Sequence, residues 1–170
     1  MDNFSRCLAF TLNAEGGYTD NAADPGNWTG GEVGRGALHG TKFGISAAAY
    51  PNLDIAALTL PDAAAIYRRD YWTPVQGDAL LLPLAMVAFD AAVNAGPRRA
   101  AMWLQQAAGQ IADGILGPAS LAALNTGNPQ ALAQEALVRR LMFYTNLPGW
   151  PHFGLGWLRR VVKLAGEIML

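Results

Sequence analysis

The chain is poor in the residues that build metal and disulfide frameworks, with one cysteine and two histidines in 170 positions. Cys7 has no second cysteine to pair with, and His39 and His152 stand far apart, so a structural disulfide and a Cys/His zinc site are excluded. Charged residues make up only 15% of the chain, yet no apolar run reaches the 18 or more residues that a bilayer span needs. Strand-like alternation of polar and apolar residues is also missing. At this length folding buries roughly 70% of the unfolded chain's surface, enough for a core without staples.

What is present is an apolar fraction of 52% and a near-neutral net charge of -1. The charge is unevenly spread: residues 1–90 hold ten acids and five bases, while residues 91–170 hold three acids and seven bases. That asymmetry fits either intramolecular complementarity or attraction of the C-terminal half to an anionic polymer or membrane. The bases come as isolated pairs, Arg68-Arg69 and Arg139-Arg140 among them, and form no dense patch for nucleic acid. The first 14 residues carry Asp2 and a lone Arg6 and no apolar core of export-signal length. The expectation is a monomer made in the cytoplasm, so a target outside it calls for separate delivery.

Phe4, Leu8 and Leu12 recur every fourth position, predicting an amphipathic helix over 3–14 capped by Asp2 or Asn3 and stopped by Gly16-Gly17. Residues 19–44 lose helical periodicity, and seven of the 19 glycines fall between Gly26 and Gly44. A turn-rich functional loop with a small irregular hairpin is expected there. From Pro61 onward six helical stretches follow, at 62–71, 84–95, 98–107, 118–124, 130–146 and 155–169, with proline or glycine at nearly every junction. The predicted class is mainly α with a minor β element near residues 27–45. In the last stretch Leu158, Val161, Val162, Ala165 and Ile168 form one face and Arg159, Arg160, Lys163 and Glu167 the other. Such a helix packs its stripe on a core or rests on an anionic membrane.

Glu15 ends the first predicted helix before two glycines and Tyr18, at the negative end of the helix dipole. That position disfavours ionisation, and a carboxyl kept protonated beside an open groove is what a general acid for glycosidic cleavage requires. An ordinary exposed helix-terminal glutamate fits the same spacing. Asp24, in Asp24-Pro25-Gly26, offers a second carboxylate or a plain Asx turn. Inverting glycosidases separate the two groups by ~6.5–9.5 Å and retaining ones by ~5–5.5 Å. Tyr71-Trp72 at a helix end, and Asp90 with Asn94 at i, i+4, offer stacking and hydrogen bonds to a sugar. Core packing, or pairing of Asp90 with Arg98 or Arg99, is the alternative. The glycines match neither phosphate-binding spacing, which excludes nucleotide binding, and Cys7 has no histidine to activate it.

The ordered set Glu15-Gly16-Gly17-Tyr18, Asp24-Pro25-Gly26 and Thr41-Lys42-Phe43-Gly44-Ile45 resembles the signature of glycoside hydrolase family 108, bacterial and phage N-acetylmuramidases. The run from Phe89 to Pro97, then Leu104-Gln105 and the stretch from Asp113 to Pro118, resembles the predicted peptidoglycan-binding segment that accompanies it. The resemblance covers about four fifths of the chain. It implies a lysozyme-like fold, with residues 1–96 catalytic and 97–170 a helical binding region packed into the same domain. It implies a muramidase or endolysin cutting the β-1,4 bond between N-acetylmuramic acid and N-acetylglucosamine. It marks Glu15 as the acid, and Tyr18, Tyr71, Trp72, Asp90 and Asn94 stand beside it as the candidate sugar contacts. By similarity to phage-type lysozymes, Asp24 and a threonine position the attacking water. Shorter relatives read D-P-G-G-x-T-x-x-G-I without interruption, whereas residues 27–40 intervene here, so the threonine is Thr41 or Thr29, with Thr41 in the matching context. No cofactor or metal is required. The expected partners are peptidoglycan glycan strands and a holin or secretion system that delivers the enzyme to the wall. The rivals are a lytic transglycosylase, which leaves 1,6-anhydro ends, and a silent wall-binding module.

Overall fold

The structure is a computed structural model that describes residues 2–12 and 17–169. Its element order is α1 (Asn3–Leu12), a 3-10 turn (Pro25–Asn27), β1 (Thr41–Lys42), β2 (Ile45–Ser46), α2 (Leu60–Tyr67) and a π turn (Arg68–Trp72). A second 3-10 turn (Gly77–Ala79), α3 (Leu82–Ala95), α4 (Pro97–Ala107), α5 (Pro118–Thr126), α6 (Pro129–Thr145) and α7 (Trp150–Glu167) complete it. This is a mainly α architecture with, among the described residues, one small antiparallel hairpin. The contacts divide the chain into two units, Leu8–Tyr67 and Met1–Cys7 with Arg68–Leu170.

The larger unit is built around α3. Residues 84–92 of this helix are all buried, the signature of a helix enclosed on every side. α4, α6 and α7 pack against it. Proline in the first turn of α3, α4, α5, α6 and α7 presets the helical φ where no intrahelical donor is needed, which explains the sharp starts. Asn128 caps α6 by accepting from Ala131 N at 2.9 Å. Phe4, Trp72 and Phe89 form an edge-to-face triad with centroids 5.4–5.9 Å apart. Cys7 is buried in this unit, and burial pushes its thiol up to about 12, far from nucleophilic use.

Two features depart from expectation. The helix predicted over 62–71 ends at Tyr67 and continues as the π turn, which turns Trp72 fully inward. In α7 the buried residues are Gly154, Val161 and Leu164, with Ile168 buried just past its end, while Leu158 and Val162 are exposed and Arg160 points inward. The residues at 154, 161, 164 and 168 keep the i, i+3/i+4 rhythm of one helical face. The apolar stripe is therefore offset from the one inferred from composition.

Asp90 is the polar centre of the unit. It is 1% exposed and binds Arg140 Nη1 at 2.6 Å through Oδ2. Through Oδ1 it binds Arg160 Nε at 2.8 Å and Nη2 at 2.7 Å. The Nε–H of Arg140 donates to the Tyr144 hydroxyl oxygen at 2.8 Å, so one carboxylate ties α3 to α6 and α7. Gln105 plays a similar part lower down. Its Nε2 donates to Asp113 Oδ1, the Ile115 carbonyl and Ser120 Oγ at 2.7–3.1 Å, and its Oε1 accepts from Gly114 N at 2.9 Å. The Asp113–Pro118 motif is thus a loop folded around a buried glutamine.

Candidate functional site

In the smaller unit the loop of residues 17–46 is organised by Asn27, a fully buried polar residue. Its Nδ2 donates to the Asn21 carbonyl at 3.0 Å, and its own carbonyl accepts from His39 N and Gly40 N, both at 3.0 Å. Its Oδ1 accepts from Thr41 Oγ1 at 2.7 Å. An unpaired amide here would cost about 1–3 kcal/mol, so the loop is fixed by satisfying this one side chain. No local spacing in the sequence assigns Asn27 this role. A lone asparagine between Gly26 and Trp28 gives no periodic signal.

Asp24 caps the first 3-10 turn, with Oδ1 accepting from Gly26 N at 2.9 Å. This is the Asx turn, and it leaves the carboxylate exposed with Oδ2 directed to no described partner. Asn27 N donates to the Asp24 carbonyl at 3.1 Å, which joins the turn to the Thr41 hydroxyl through one residue.

Thr41 opens the hairpin, paired with Ser46, and Lys42 pairs with Ile45. The two connecting residues, Phe43 at φ 52° and Gly44 at φ 73°, both take positive φ, the geometry of a tight primed turn. The Tyr67 hydroxyl donates to the Phe43 carbonyl at 2.9 Å and secures that conformation. Thr41 also exchanges both backbone hydrogen bonds with Thr19, at 2.8 and 2.9 Å. Thr19 lies four positions after Glu15 in the sequence. Glu15 itself lies outside the described residues.

Thr29 is bonded within the glycine-rich loop. Its Oγ1 accepts from Ala37 N at 2.9 Å, and its N donates to the Ala37 carbonyl at 2.9 Å, closing the glycine loop on itself. Tyr18 is 45% exposed and lines a cavity of about 450 Å³ with Leu38, His39, Asn52, Asp54 and Ile55. Gly40, at φ +78°, lets the loop pass close beneath it. A Cβ there would lie 2.5 Å from the Thr19 carbonyl oxygen and 2.7 Å from the Tyr18 ring. Gly40→Ala is therefore expected to lose about 1–3 kcal/mol of stability, read as a lower thermal midpoint, and to weaken wall binding by displacing Tyr18.

The remaining sugar-contact candidates lie in the larger unit. Trp72 is fully buried, its Nε1 donating to Asp78 Oδ1 at 2.9 Å, and it offers no face for stacking on a sugar. Asp90 is enclosed by Arg140 and Arg160 and is a structural anchor, not a surface group; the expected local partners Arg98 and Arg99 are not its partners. Tyr71 is half-buried on the π turn, and Asn94 is exposed near the end of α3, donating from Nδ2 to the Asp90 carbonyl at 2.7 Å. Among the described residues, no group of three or more metal-ligating side chains is assembled.

A family model described as glycosyl hydrolase 108 matches residues 8–96, and one described as a predicted peptidoglycan domain matches residues 99–162. A solved structure, that of Brucella abortus SagA, is similar with 30% identity and a TM-score of 0.81, covering 98% of this chain and 93% of that one. No curated protein matches. The fold and these matches define a lysozyme-like peptidoglycan hydrolase. The chain belongs to the glycosyl hydrolase 108 family, and its activity is that of a muramidase. The boundary between the two matched segments falls at the start of α4, so the glycosyl hydrolase segment includes α3, the central helix of the larger unit.

Proposed function

We propose that Glu15 donates the proton to the leaving glycosidic oxygen, and that Asp24 and Thr41 position and activate the attacking water. The observation that carries this reading is the Asn27 junction. Through it the Asp24 turn and the Thr41 hydroxyl share one hydrogen-bonded frame, and Thr41 is paired to Thr19 just beyond the Glu15-Gly16-Gly17-Tyr18 motif. The Thr41 hydroxyl donates its proton to Asn27, so its lone pairs are left to accept from a water. Thr29, bound to Ala37, is assigned to loop closure instead. Tyr18 and the cavity around it take the sugar chain.

Asp24→Ala separates this from attack by the muramyl 6-hydroxyl, which needs no activated water. Hydrolysis by the variant is expected to fall by roughly 100-fold or more, measured as reducing ends released from purified wall. Full activity with anhydro-muramyl products would overturn the roles given to Asp24 and Thr41.

The reading also includes an endolysin role, with a monomer made in the cytoplasm and passed to the wall by a holin or secretion system. The substrate lies outside the inner membrane, and among the described residues no helix is long and apolar enough to cross one. Expression without an export signal is expected to leave cultures intact, and expression with one to lyse them. Lysis in both cases would contradict assisted delivery.

A further inference from the structure

The larger unit holds a cavity of about 190 Å³ where the end of α3, the start of α4, the end of α6 and α7 converge. Asn94, Ala95, Arg99, Phe143, Leu147 and Trp157 line it. Three of its wall residues are connected rings: Phe143 lies 6.0 Å from Tyr144, and Tyr144 lies 5.1 Å from Trp157. The Arg99 guanidinium sits 4.2 Å from the Phe143 centroid, so a ring face holds it while its N–H edge stays available.

Arg140 and Arg160 both bind Asp90, and Arg139 binds Glu135 at 2.8 Å, but no described carboxylate pairs with Arg99. Across the cavity, Asn94 uses its Nδ2 on the Asp90 carbonyl, which leaves Oδ1 to accept from a ligand. A fixed guanidinium fork matches a carboxylate, and an amide oxygen beside it matches an N–H donor. Ala95 and Leu147 supply apolar wall that suits a methyl group. Carboxylate, adjacent amide N–H and methyl together describe the end of a peptide that finishes in alanine. The volume is below the ~300 Å³ at which pockets enclose a whole small ligand, so a chain end fits better than a disaccharide.

We propose that this cavity captures the alanine-terminated end of a peptidoglycan stem peptide, with the terminal carboxylate on Arg99 and the last amide N–H donating to Asn94 Oδ1. The inference rests on peptidoglycan being the substrate. It gives the helical segment a contact with the peptide part of the wall, separate from cleavage of the sugar chain.

The test is calorimetric titration of the full chain with a synthetic stem pentapeptide ending in D-Ala-D-Ala, and with the same peptide as its C-terminal carboxamide. The acid form is expected to bind at least ~10-fold more tightly than the carboxamide, the value of one charge-assisted pair. Arg99→Gln, an exposed change checked by its melting temperature, is expected to erase that difference. Equal binding of the two peptides by the native chain would overturn the inference. So would an Arg99→Gln protein that still prefers the acid, or acetate competing as well as the peptide does, which marks a bare anion site. Release of reducing ends by the native chain is scored in parallel. Absent peptide binding beside active cleavage therefore overturns the pocket and leaves the muramidase reading standing.

Discussion

Glu15→Gln is expected to lower the rate of wall lysis by at least ~100-fold while leaving the thermal midpoint unchanged. The substitution keeps the volume and hydrogen-bonding reach of the side chain and removes only the transferable proton. Without that proton the leaving alkoxide departs unprotonated, a penalty that binding contacts elsewhere on the sugar do not offset. The expectation rests on the Glu15-Gly16-Gly17-Tyr18 motif and on the glycosyl hydrolase 108 match, which spans the position. Loss of turbidity in a wall suspension reports the rate, and circular dichroism reports the fold. A folded Glu15→Gln protein that clears the suspension at the native rate would remove the acid from this account.

Asp90→Ala is expected to act in the opposite way, through stability. The change strips the carboxylate from two guanidinium groups, one of them on a side chain 1% exposed. Removing one partner of a buried ion pair costs about 3–5 kcal/mol, because the remaining charge is left without compensation. Against a typical domain stability of about 5–15 kcal/mol, that is a large fraction, visible as a shift in the urea midpoint. Asp90→Asn, which keeps some hydrogen bonding, should fall between the variant and the native chain. A sugar-binding Asp90 would behave differently, with stability unchanged and KM raised.

The contrast between Glu15 and Asp90 shows what the sequence could disclose. Helix positions were legible because the stretches after Pro61 carry 3.6-residue periodicity and proline or glycine at their starts, and the structure uses those prolines as first-turn residues. The hairpin was legible only as a glycine-rich interval; its two positive-φ residues, Phe43 and Gly44, lie inside the T-K-F-G-I match. Asp90 was misplaced because its partners stand 50 and 70 positions away, beyond the reach of any local spacing. Trp72 looked like a helix-end aromatic, and only the π turn shows that it packs on Phe4 and Phe89. In α7, apolar residues occur on more than one face, so composition alone could not decide that Leu164 is buried and Val162 is exposed. Of the catalytic candidates, Asp24 and Thr41 gained a shared frame through Asn27, while the role of Glu15 continues to rest on its motif.

Hydrolysis of the bond that follows N-acetylmuramic acid leaves that sugar as a reducing end. Its most direct test is mass analysis of the fragments released from purified, peptide-trimmed wall by the native chain, with and without borohydride reduction. The fragments are expected to end in N-acetylmuramic acid and to take up hydrogen on reduction. Fragments ending in reducible N-acetylglucosamine, or in unreducible 1,6-anhydro-muramic acid, would contradict that hydrolysis.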